Sequence, residues 1–535
     1  MTKGYLALVL HAHLPYIRHP EDEYFLEERW LYEAITETYI PLIEAFDRLI
    51  SDNVPFKVTL SVSPPLVCML NDPLLQQRYI NHLNQLLALA EKELHRTQGT
   101  VQYNTALMYR QRLQSAYNTF YHRYHCNLNN AFRKLQNSGR IELITCGATH
   151  GYLPFMRHAE SIYAQIENAI KVHRNNFGST PKGIWLPECA YKRGVEKILK
   201  QFGIKFFFTD SHAVLFASRR PRYSIYAPLY CTDGVAAFAR DVESSKQVWS
   251  ANEGYPGDVD YREYYRDIGY DMDDEYIWEY VHPDGIRHNT GFKYCRITGQ
   301  VDLSQKEPYV PQWAAQKVKL HAENFIFNRE QQIKCLSTHM DRKPIVVAPY
   351  DAELFGHWWY EGPAWLETVI RKIYTDSNVI ELISPADYLQ IYPHNQRANL
   401  CETSWGKSGY HEVWLCPQND WIYRHLHAAA GQMVDLANRY DATDGLYYRG
   451  LNQAARELML AQASDWAFIM HTGTTVDYAV KRTKQHISNF LQLYQMINHN
   501  NIDEGWLANL EYSNNIFPDM DYRSFSSHKV ATAVI

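Results

Sequence analysis

The stretch Gly183-Ile-Trp-Leu-Pro-Glu-Cys-Ala-Tyr191 joins an apolar run, a proline and a carboxylate. Residues 184–186 are typical of a buried strand, and Pro187 ends ladder pairing because proline has no N–H. Glu188 follows at once, and helical spacing of apolar residues begins after Arg193. Carboxyl ends of parallel strands face the active site of an α/β protein, so we interpret Glu188 as a candidate catalytic residue. A glutamate that only caps the next helix is the alternative.

A second stretch, Pro344-Ile-Val-Val-Ala-Pro-Tyr-Asp-Ala-Glu-Leu354, has the same build. A β-branched run leads to a proline, and Asp351 and Glu353 follow it. Two carboxylates at the ends of two buried strands suit glycosidic chemistry, in which one attacks the sugar and the other carries the proton. We predict that Asp351 carries the proton, because it is the first acidic group at the strand end.

About seven apolar, strand-like runs alternate with helical stretches along the first part of the chain. Polar residues follow the carboxyl ends of nearly all of them: His11, His13, His150, Glu188, Asp210, His212, Arg240, Asp241 and Asp351. Such clustering at one end of the strands is typical of a β/α barrel with its site on one face. The expected fold class is therefore α/β.

The helical segments suggest two domains. We predict a catalytic barrel over residues 1–400, with helical insertions at about 72–138 and 241–341. Beyond about residue 400 the pattern is helical with little β signal, which predicts a helical domain over 401–535 that contributes to the substrate groove. The last stretch, 513–535, is expected to be a poorly ordered tail.

Net charge, apolar runs and cysteine content exclude several classes of protein. The 535 residues carry a formal net charge of −6, which argues against nucleic acid or an anionic membrane as the main partner. No apolar run approaches the ~18 residues that span a bilayer, and the N-terminus lacks the features of a signal peptide. The nine cysteines are scattered without a CxxC pair, as in a reducing compartment. A soluble cytoplasmic protein is expected.

Several side chains permit more than one chemistry. His11 and His13 have the His-x-His spacing of many metal sites, with further ligands available from His150, His212, Asp210 or Asp351. The same histidines serve equally well as hydrogen-bond donors to sugar hydroxyls. We favour the sugar-binding role and expect no metal. Cys189 beside Glu188 suggests a thiol nucleophile, but no Cys/His signature surrounds it, so packing is the preferred interpretation.

Aromatic residues are abundant, with 40 Tyr and 13 Trp, and these pair an apolar face with a polar tip. Trp278, Trp405 and Trp414 lie among polar or glycine-bearing neighbours, which predicts exposed rings that stack on sugars rather than core positions. Asp465 lies within a helical segment, where a buried carboxylate needs a partner such as a sugar hydroxyl.

At four positions the chain resembles glycoside hydrolase family 57, and most closely its 1,4-α-glucan branching enzymes. The matching stretches are His11-Ala-His-Leu-Pro15, Gly147-Ala-Thr-His-Gly-Tyr-Leu-Pro154, Trp185-Leu-Pro-Glu-Cys-Ala-Tyr191 and Pro349-Tyr-Asp-Ala-Glu-Leu-Phe-Gly-His-Trp-Trp359. The third and fourth are specific. The resemblance extends to about residue 510 and includes Ser404-Trp-Gly406.

The resemblance implies a distorted (β/α)7 barrel with an inserted helical subdomain and a C-terminal helical domain. It implies Glu188 as nucleophile, Asp351 as general acid/base and no cofactor. Family members also carry a tyrosine on a mobile loop over the site, for which Tyr255 is one candidate. The implied glucan-binding residues are Trp278, Trp405, Trp414, Asp465, Arg266 and Gly285.

The leading hypothesis is a retaining transglycosylase that cleaves α-1,4-glucan and forms α-1,6 branches, as a monomer or small homo-oligomer. A 4-α-glucanotransferase or an α-amylase-type hydrolase would use the same carboxylate pair and remains open. A glucan-binding protein without activity is the alternative from another class, and the presence of both carboxylates argues against it.

Overall fold

The β-strands form two sheets in the computed structural model, which describes residues 2–534. One sheet has the order β3-β2-β1-β8 with β9 also paired to β1, and the other has the order β4-β5-β7-β6. The strands are β1 (Gly4–Ala12), β2 (Val58–Val62), β3 (Ile141–Ile144), β4 (Gly183–Ile184), β5 (Phe206–Thr209), β6 (Leu229–Tyr230), β7 (Ala236–Ala239), β8 (Ile345–Asp351) and β9 (Ile380–Leu382).

Two contacts close the sheets into a barrel. A parallel bridge between Thr145 and Ile184 joins the end of β3 to β4. At the other seam, the backbone N–H of Asp241 donates to the carbonyl of Val347 on β8 at 2.9 Å. β1, β2, β3, β4, β5, β7 and β8 pair in parallel around this ring, which confirms the predicted (β/α)7 barrel. The short β6 and β9 were not predicted, because runs of two and three residues carry no clear alternation.

Helices follow the strands and fill the two insertions. Those preceding residue 400 are α1 (Arg29–Ala34), α2 (Ile40–Ser51), α3 (Pro64–Asn71), α4 (Pro73–Arg96), α5 (Tyr103–Tyr117), α6 (Asn129–Asn137), α7 (Ala159–Phe177), α8 (Val195–Gln201), α9 (Ser211–Leu215), α10 (Val242–Trp249), α11 (Ile268–Asp271), α12 (Asp274–Ile277), α13 (Pro311–Ser337), α14 (Gly362–Asp376) and α15 (Pro385–Ile391). Two π-helical segments, Ile35–Tyr39 and Asn118–Arg123, continue α1 and α5.

The chain after residue 400 is helical. Its elements are α16 (Trp421–Arg439), α17 (Gly445–Ala461), α18 (Ser464–Thr472), α19 (Val476–Asn498), α20 (Glu504–Ser513) and α21 (Ser527–Val534). Backbone contacts hold this part against the barrel mouth: the N–H of Ser464 donates to the carbonyl of His150 at 2.9 Å, and Tyr191 bridges Thr403.

The prediction of a disordered tail was wrong. Phe517, Tyr522 and Phe525 are almost completely buried in the main hydrophobic core. A turn separates Phe517 from the short 3-10 helix Tyr522–Phe525, so the buried residues form no continuous helical or strand pattern in the sequence. Residues 1 and 535, the outer bounds of the two predicted domains, lie outside the described residues. Within residues 2–534, no helix is both long and apolar enough to cross a membrane.

Candidate active site

Strand β1 places two histidines at the mouth of the barrel. Its side chains alternate, with Tyr5, Ala7 and Val9 in the interior cluster of the barrel and Leu6, Leu8 and Leu10 in the outer one. A period of two residues carries the interior face on to His11 and His13. On the neighbouring strand β8 the interior residues are Ile345 and Val347. The same alternation leads to Asp351, which lies opposite His11 in the strand register.

Glu188 emerges from a strained turn. The 3-10 turn Pro187–Cys189 is separated from the end of β4 by two residues, and Glu188 has a φ of 62° in the left-handed region. Cys189 and His150 also have positive φ, at 47° and 56°. A residue held in this backbone conformation lowers the stability of the fold by about 1–3 kcal/mol. Such residues cluster at active sites, where the surrounding structure holds them in place. The turn thus directs Glu188 into the mouth, while Cys189 is buried beneath it.

Two residues from the chain beyond 400 donate hydrogen bonds to the Glu188 carboxylate. Trp405 Nε1 donates to Oε2 at 2.9 Å, and Ser464 Oγ donates to Oε1 at 2.8 Å. The backbone N–H of Trp405 also donates to the carbonyl of Glu188 at 3.1 Å. These contacts position the carboxylate and stabilise its ionised form.

The histidines form a hydrogen-bonded network behind Glu188. His150 Nδ1 lies 2.7 Å from Ser464 Oγ, His150 Nε2 lies 3.1 Å from His11 Nε2, and His11 Nδ1 lies 3.0 Å from Ser61 Oγ. The His11 ring stacks on Trp185 at 4.5 Å. Burial is the main cause that lowers the pKa of His11 and of His150 well below the usual range, so both rings are neutral near pH 7.

His13 is more easily protonated than the other two histidines. Its Nε2 lies 3.0 Å from Asp465 Oδ1, and its Nδ1 lies 2.9 Å from Ser63 Oγ. Burial opposes the charged ring, yet the Asp465 carboxylate raises the pKa of His13 above its ordinary value. The second oxygen of Asp465, Oδ2, is buried with no hydrogen-bond partner among residues 2–534. It is therefore free to accept from a sugar hydroxyl.

Asp351 and Glu353 have different surroundings. Glu353 Oε1 accepts from the backbone N–H of His13 at 3.1 Å and from the Tyr39 hydroxyl at 2.5 Å. No side-chain hydrogen bond to the Asp351 carboxyl occurs in the described part of the chain. Burial, followed by the charges of Glu353 and Glu188, raises the pKa of Asp351 well above its usual value. Asp351 is thus suited to hold a proton, while Glu353 holds the loop in place.

The surroundings of the two candidate catalytic carboxyls favour different protonation states. Burial raises the pKa of Glu188 to about 7, but its hydrogen bonds from Trp405 and Ser464 oppose that effect and favour the ionised form. Asp351 has no such donors, and burial beside two other carboxyls raises its pKa and favours the protonated form. These are the states required of a nucleophile and an acid.

Two groups of side chains have the composition of a metal site. They are His13, His150 and Asp465, and His11, Cys146 and His150, with ligand atoms within 4.8 Å of one another. Both ring nitrogens of all three histidines already have hydrogen-bond partners. A cation would have to displace these bonds, so the donor set fits a hydrogen-bond network better than a metal. The absence of a metal remains a prediction.

The predicted tryptophans occupy three different environments. Trp405 touches Glu188, as described above. Trp278 is 60% exposed. Trp414 is only 1% exposed and stacks on Tyr152 with ring centroids 4.8 Å apart, so the prediction of an exposed ring was wrong. Its neighbours lack apolar periodicity because Trp414 belongs to a loop that is covered by other elements.

Arg266 and Gly285 show no contact with the carboxylate pair in the described residues. Arg266 Nε donates to Asp271 at 3.0 Å, and its Nη1 donates to the Leu303 carbonyl at 2.9 Å. Gly285 lies in an exposed loop with φ of 78°. Their role in binding glucan remains a prediction.

Sequence reasoning missed Ser464, Tyr39 and the two strand serines, Ser61 and Ser63. Ser464 precedes Asp465 at the start of α18, and this position next to a predicted site residue was an available signal. Ser61 and Ser63 lie at the end of β2 beside His11 and His13. Tyr39 left no signal, because a π-helix places it in the site.

Comparisons with known proteins agree with this geometry. The family model of glycosyl hydrolase family 57 matches residues 7–400, and the C-terminal model of 1,4-alpha-glucan branching enzymes matches residues 425–525. A 1,4-alpha-glucan branching enzyme of Thermococcus kodakarensis is 34% identical over 522 residues, covering 92% of this chain and 73% of the relative.

Solved structures share the whole architecture. The alpha-amylase AmyC of Thermotoga maritima is 44% identical with a TM-score of 0.92, covering 98% of this chain and 99% of its own. A family 57 branching enzyme of Pyrococcus horikoshii is 34% identical with a TM-score of 0.88, covering 98% and 97%. The similarity therefore includes the barrel, the loop that supplies Trp405 and the helix that supplies Ser464.

Proposed function

The chain belongs to glycosyl hydrolase family 57, and we propose that it is a 1,4-α-glucan branching enzyme with a retaining mechanism. The observation that carries this proposal is the asymmetric carboxyl pair at the barrel mouth. Glu188 receives two hydrogen bonds that favour its charge, and Asp351 is buried beside two carboxyls that favour its proton. The match of residues 425–525 to the C-terminal part of branching enzymes supports branching as the outcome.

In the first step the Glu188 carboxylate attacks the anomeric carbon of an α-1,4-linked glucose. The bond between that carbon and the bridging oxygen breaks, and Asp351 gives its proton to the oxygen of the leaving fragment. A covalent ester between Glu188 and the transferred chain results, with inverted configuration. Asp465 Oδ2, which is buried without a partner among the described residues, provides an acceptor for a sugar hydroxyl.

In the second step the now ionised Asp351 accepts a proton from the 6-hydroxyl of another glucan. The hydroxyl oxygen attacks the anomeric carbon and displaces Glu188, which restores the α configuration and forms an α-1,6 branch. Glu188 is ionised and Asp351 is protonated again, so the cycle closes without a cofactor.

Hydrolysis is the second candidate, because the 44% identical AmyC is an alpha-amylase. The same ester on Glu188 would then be released by water, with Asp351 again accepting the proton. Choice between water and a sugar hydroxyl depends on how well the acceptor groove excludes water. Transfer to a 4-hydroxyl would give disproportionation instead.

One assay separates these outcomes. Amylose is incubated with the protein, and the products are digested with isoamylase before chain-length analysis. A branching enzyme gives new short chains only after isoamylase treatment, whereas a hydrolase raises the number of reducing ends before it. Products with a changed chain-length distribution but no isoamylase-sensitive bonds would identify a glucanotransferase, and an unchanged substrate would support a binding protein.

We also propose that the protein acts in the cytoplasm on a glycogen-like glucan. All nine cysteines are free, although six of them are only partly buried or exposed, which is usual where thiols stay reduced. A lower amount of branched glucan, or shorter branches, in cells that lack the protein would support this assignment. Recovery of the protein only from the medium would contradict it.

A further inference from the structure

A cavity lies between the helical insertion and the loop that follows β8, apart from the hydrogen-bonded residues around Glu188. It offers about 50 Å³ for the centres of water-sized molecules. About 10–15 Å³ of such space is enough for one water, so this cavity has room for a small polar group. The residues that define it are Arg29, Glu37, Arg112, Arg262, Lys293 and Tyr360.

Positive side chains outnumber negative ones in the lining. The cations are Arg29, Arg112, Arg262 and Lys293, and the carboxylates are Glu33 and Glu37. Burial raises the pKa of Glu33, which weakens its contribution as an anion. Burial also lowers the pKa of Lys293, and the charge of Arg262 adds to that effect, as expected where positive charge is in excess.

Arg262 is the least satisfied of the cations. Its side chain is 1% exposed, and its guanidinium lies 3.9 Å above the Tyr360 ring. Nε and Nη1 are buried with no hydrogen-bond partner among residues 2–534. The nearest carboxylate oxygen, on Glu37, lies 3.8 Å from Nη1, too far for a hydrogen bond. Buried N–H groups on a charged side chain are costly when nothing accepts hydrogen bonds from them.

Glu37 cannot neutralise Arg262 alone because it has other partners. Its Oε2 accepts from His357 Nδ1 at 2.8 Å. Burial would raise the pKa of Glu37, but the charge of Arg262 and the hydrogen bond from His357 hold it at about 2. Glu37 is therefore ionised, and its single negative charge is shared between Arg262 and His357. Arg112 packs against the same aromatic ring as Arg262, with its guanidinium 4.2 Å from the centre of the Tyr360 ring.

The opposite wall of the cavity is held rigidly. Asp267 Oδ1 accepts from both the N–H and the hydroxyl of Thr290, at 2.9 and 2.7 Å, and Oδ2 accepts from the N–H of Gly291 at 2.9 Å. Asn289 accepts from Arg29 Nη2 through its carbonyl at 2.5 Å. Lys293 Nζ likewise donates to the carbonyl of Tyr264. Backbone carbonyls therefore hold Arg29 and Lys293 in place, which lowers the cost of ordering them around a ligand.

From these observations we infer that the cavity binds a small oxyanion, with Arg262, Arg112 and Lys293 as its ligands. The ligand class is a phosphate group, because its oxygens accept bidentate hydrogen bonds from an arginine fork and its charge offsets the excess of cations. Inorganic phosphate and the phosphate of a sugar phosphate share this chemistry. The site is distinct from the carboxylate pair and is not required by the proposed reaction.

Calorimetric titration of the full-length protein with inorganic phosphate, at constant ionic strength and with chloride as the competing anion, tests this inference. We expect saturable binding at one site. Arg262→Gln should weaken it at least tenfold, and so should Arg112→Gln, whose more accessible side chain makes it the safer variant for folding. Arg110→Gln is the matched control, because Arg110 lies on the same helix and pairs with Glu91 at 2.9 Å, outside the cavity.

Glucose 6-phosphate and maltose distinguish the sources and the alternatives. Tighter binding of glucose 6-phosphate than of inorganic phosphate, with the same dependence on Arg112, would identify a sugar phosphate as the ligand. Maltose binding that depends on Arg112, without any phosphate binding, would overturn the inference and make the cavity a sugar subsite. Phosphate binding that is unchanged in both Arg262→Gln and Arg112→Gln would also overturn it. Because binding is measured directly, these outcomes are independent of whether the protein branches glucan.

Discussion

Ser464 donates a hydrogen bond of 2.8 Å to Oε1 of Glu188 across 276 residues of sequence. The donor is the first residue of α18, and the acceptor lies in the turn after β4. The same serine lies 2.7 Å from Nδ1 of His150, so one hydroxyl links the candidate nucleophile to the histidine network. The helical part of the chain is therefore part of the site.

Removal of the Ser464 hydroxyl is predicted to raise the pKa of Glu188. A hydrogen bond to a charged group contributes about 1.5–3 kcal/mol, equivalent to roughly one to two pKa units. The acidic limb of the kcat/KM profile reports the group that must be ionised in the free enzyme. In Ser464→Ala this limb should move to higher pH from its position near 7. Ser464→Thr keeps the hydroxyl and serves as control. An unmoved acidic limb in the alanine variant would show that this bond does not set the charge of Glu188.

Asp351, and not Glu353, is predicted to carry the proton. Asp351→Asn should abolish activity on amylose but spare the first step with an activated donor such as an α-glycosyl fluoride, which needs little acid assistance. Glu353→Gln should lower both activities together, because Glu353 holds Tyr39 and the backbone of His13. Parallel rate measurements on the two substrates check this. The roles would be exchanged if Glu353→Gln alone showed selective loss on amylose.

The charge of Asp351 should make the protein less stable as the pH rises. Its pKa in the folded state is raised, so the unfolded state loses this proton first, from its ordinary pKa of about 3.9. The free energy of unfolding therefore falls as pH rises from about 4 towards the folded pKa. Asp351→Asn should match the wild type in melting temperature near pH 4 and exceed it at pH 7. Asp302→Asn, at an exposed position, should show no such trend. A constant difference between pH 4 and 7 would refute this linkage.

The two tryptophans near the site provide a matched pair. Trp405→Phe removes the 2.9 Å hydrogen bond to Glu188 while keeping an aromatic ring, so kcat should fall by about tenfold or more. Trp414 Nε1 has no hydrogen-bond partner among the described residues. Trp414→Phe should therefore change kcat little, apart from a modest loss of packing. Equal losses in steady-state assays of the two variants would mean that ring volume, not the hydrogen bond, is what matters.

Local patterns in the sequence predicted the barrel and the position of the two carboxylates. Continuous apolar runs are recognisable as buried strands from the sequence alone. The alternation of side chains in β1 also predicts that His11 and His13 lie on the interior face of the barrel. The environment of Trp414 could not be predicted, because its burial depends on Tyr152, which is distant in sequence. Burial of Phe517, Tyr522 and Phe525 likewise arises from packing against core residues that are distant in sequence. The hydrogen bond from Ser464 to Glu188 could not be predicted for the same reason, because it joins residues that are 276 positions apart.

The most direct test of the account is identification of the residue that becomes covalently glycosylated. Asp351→Asn is incubated with an α-maltosyl fluoride, and the protein is digested and mapped by mass spectrometry. The activated donor can form the ester without acid assistance, and the missing base slows its release, so the intermediate should accumulate. The account predicts a maltosyl adduct on the peptide that contains Glu188, absent when Glu188→Gln is added. An adduct on another side chain, or release of inverted product without any adduct, would contradict it.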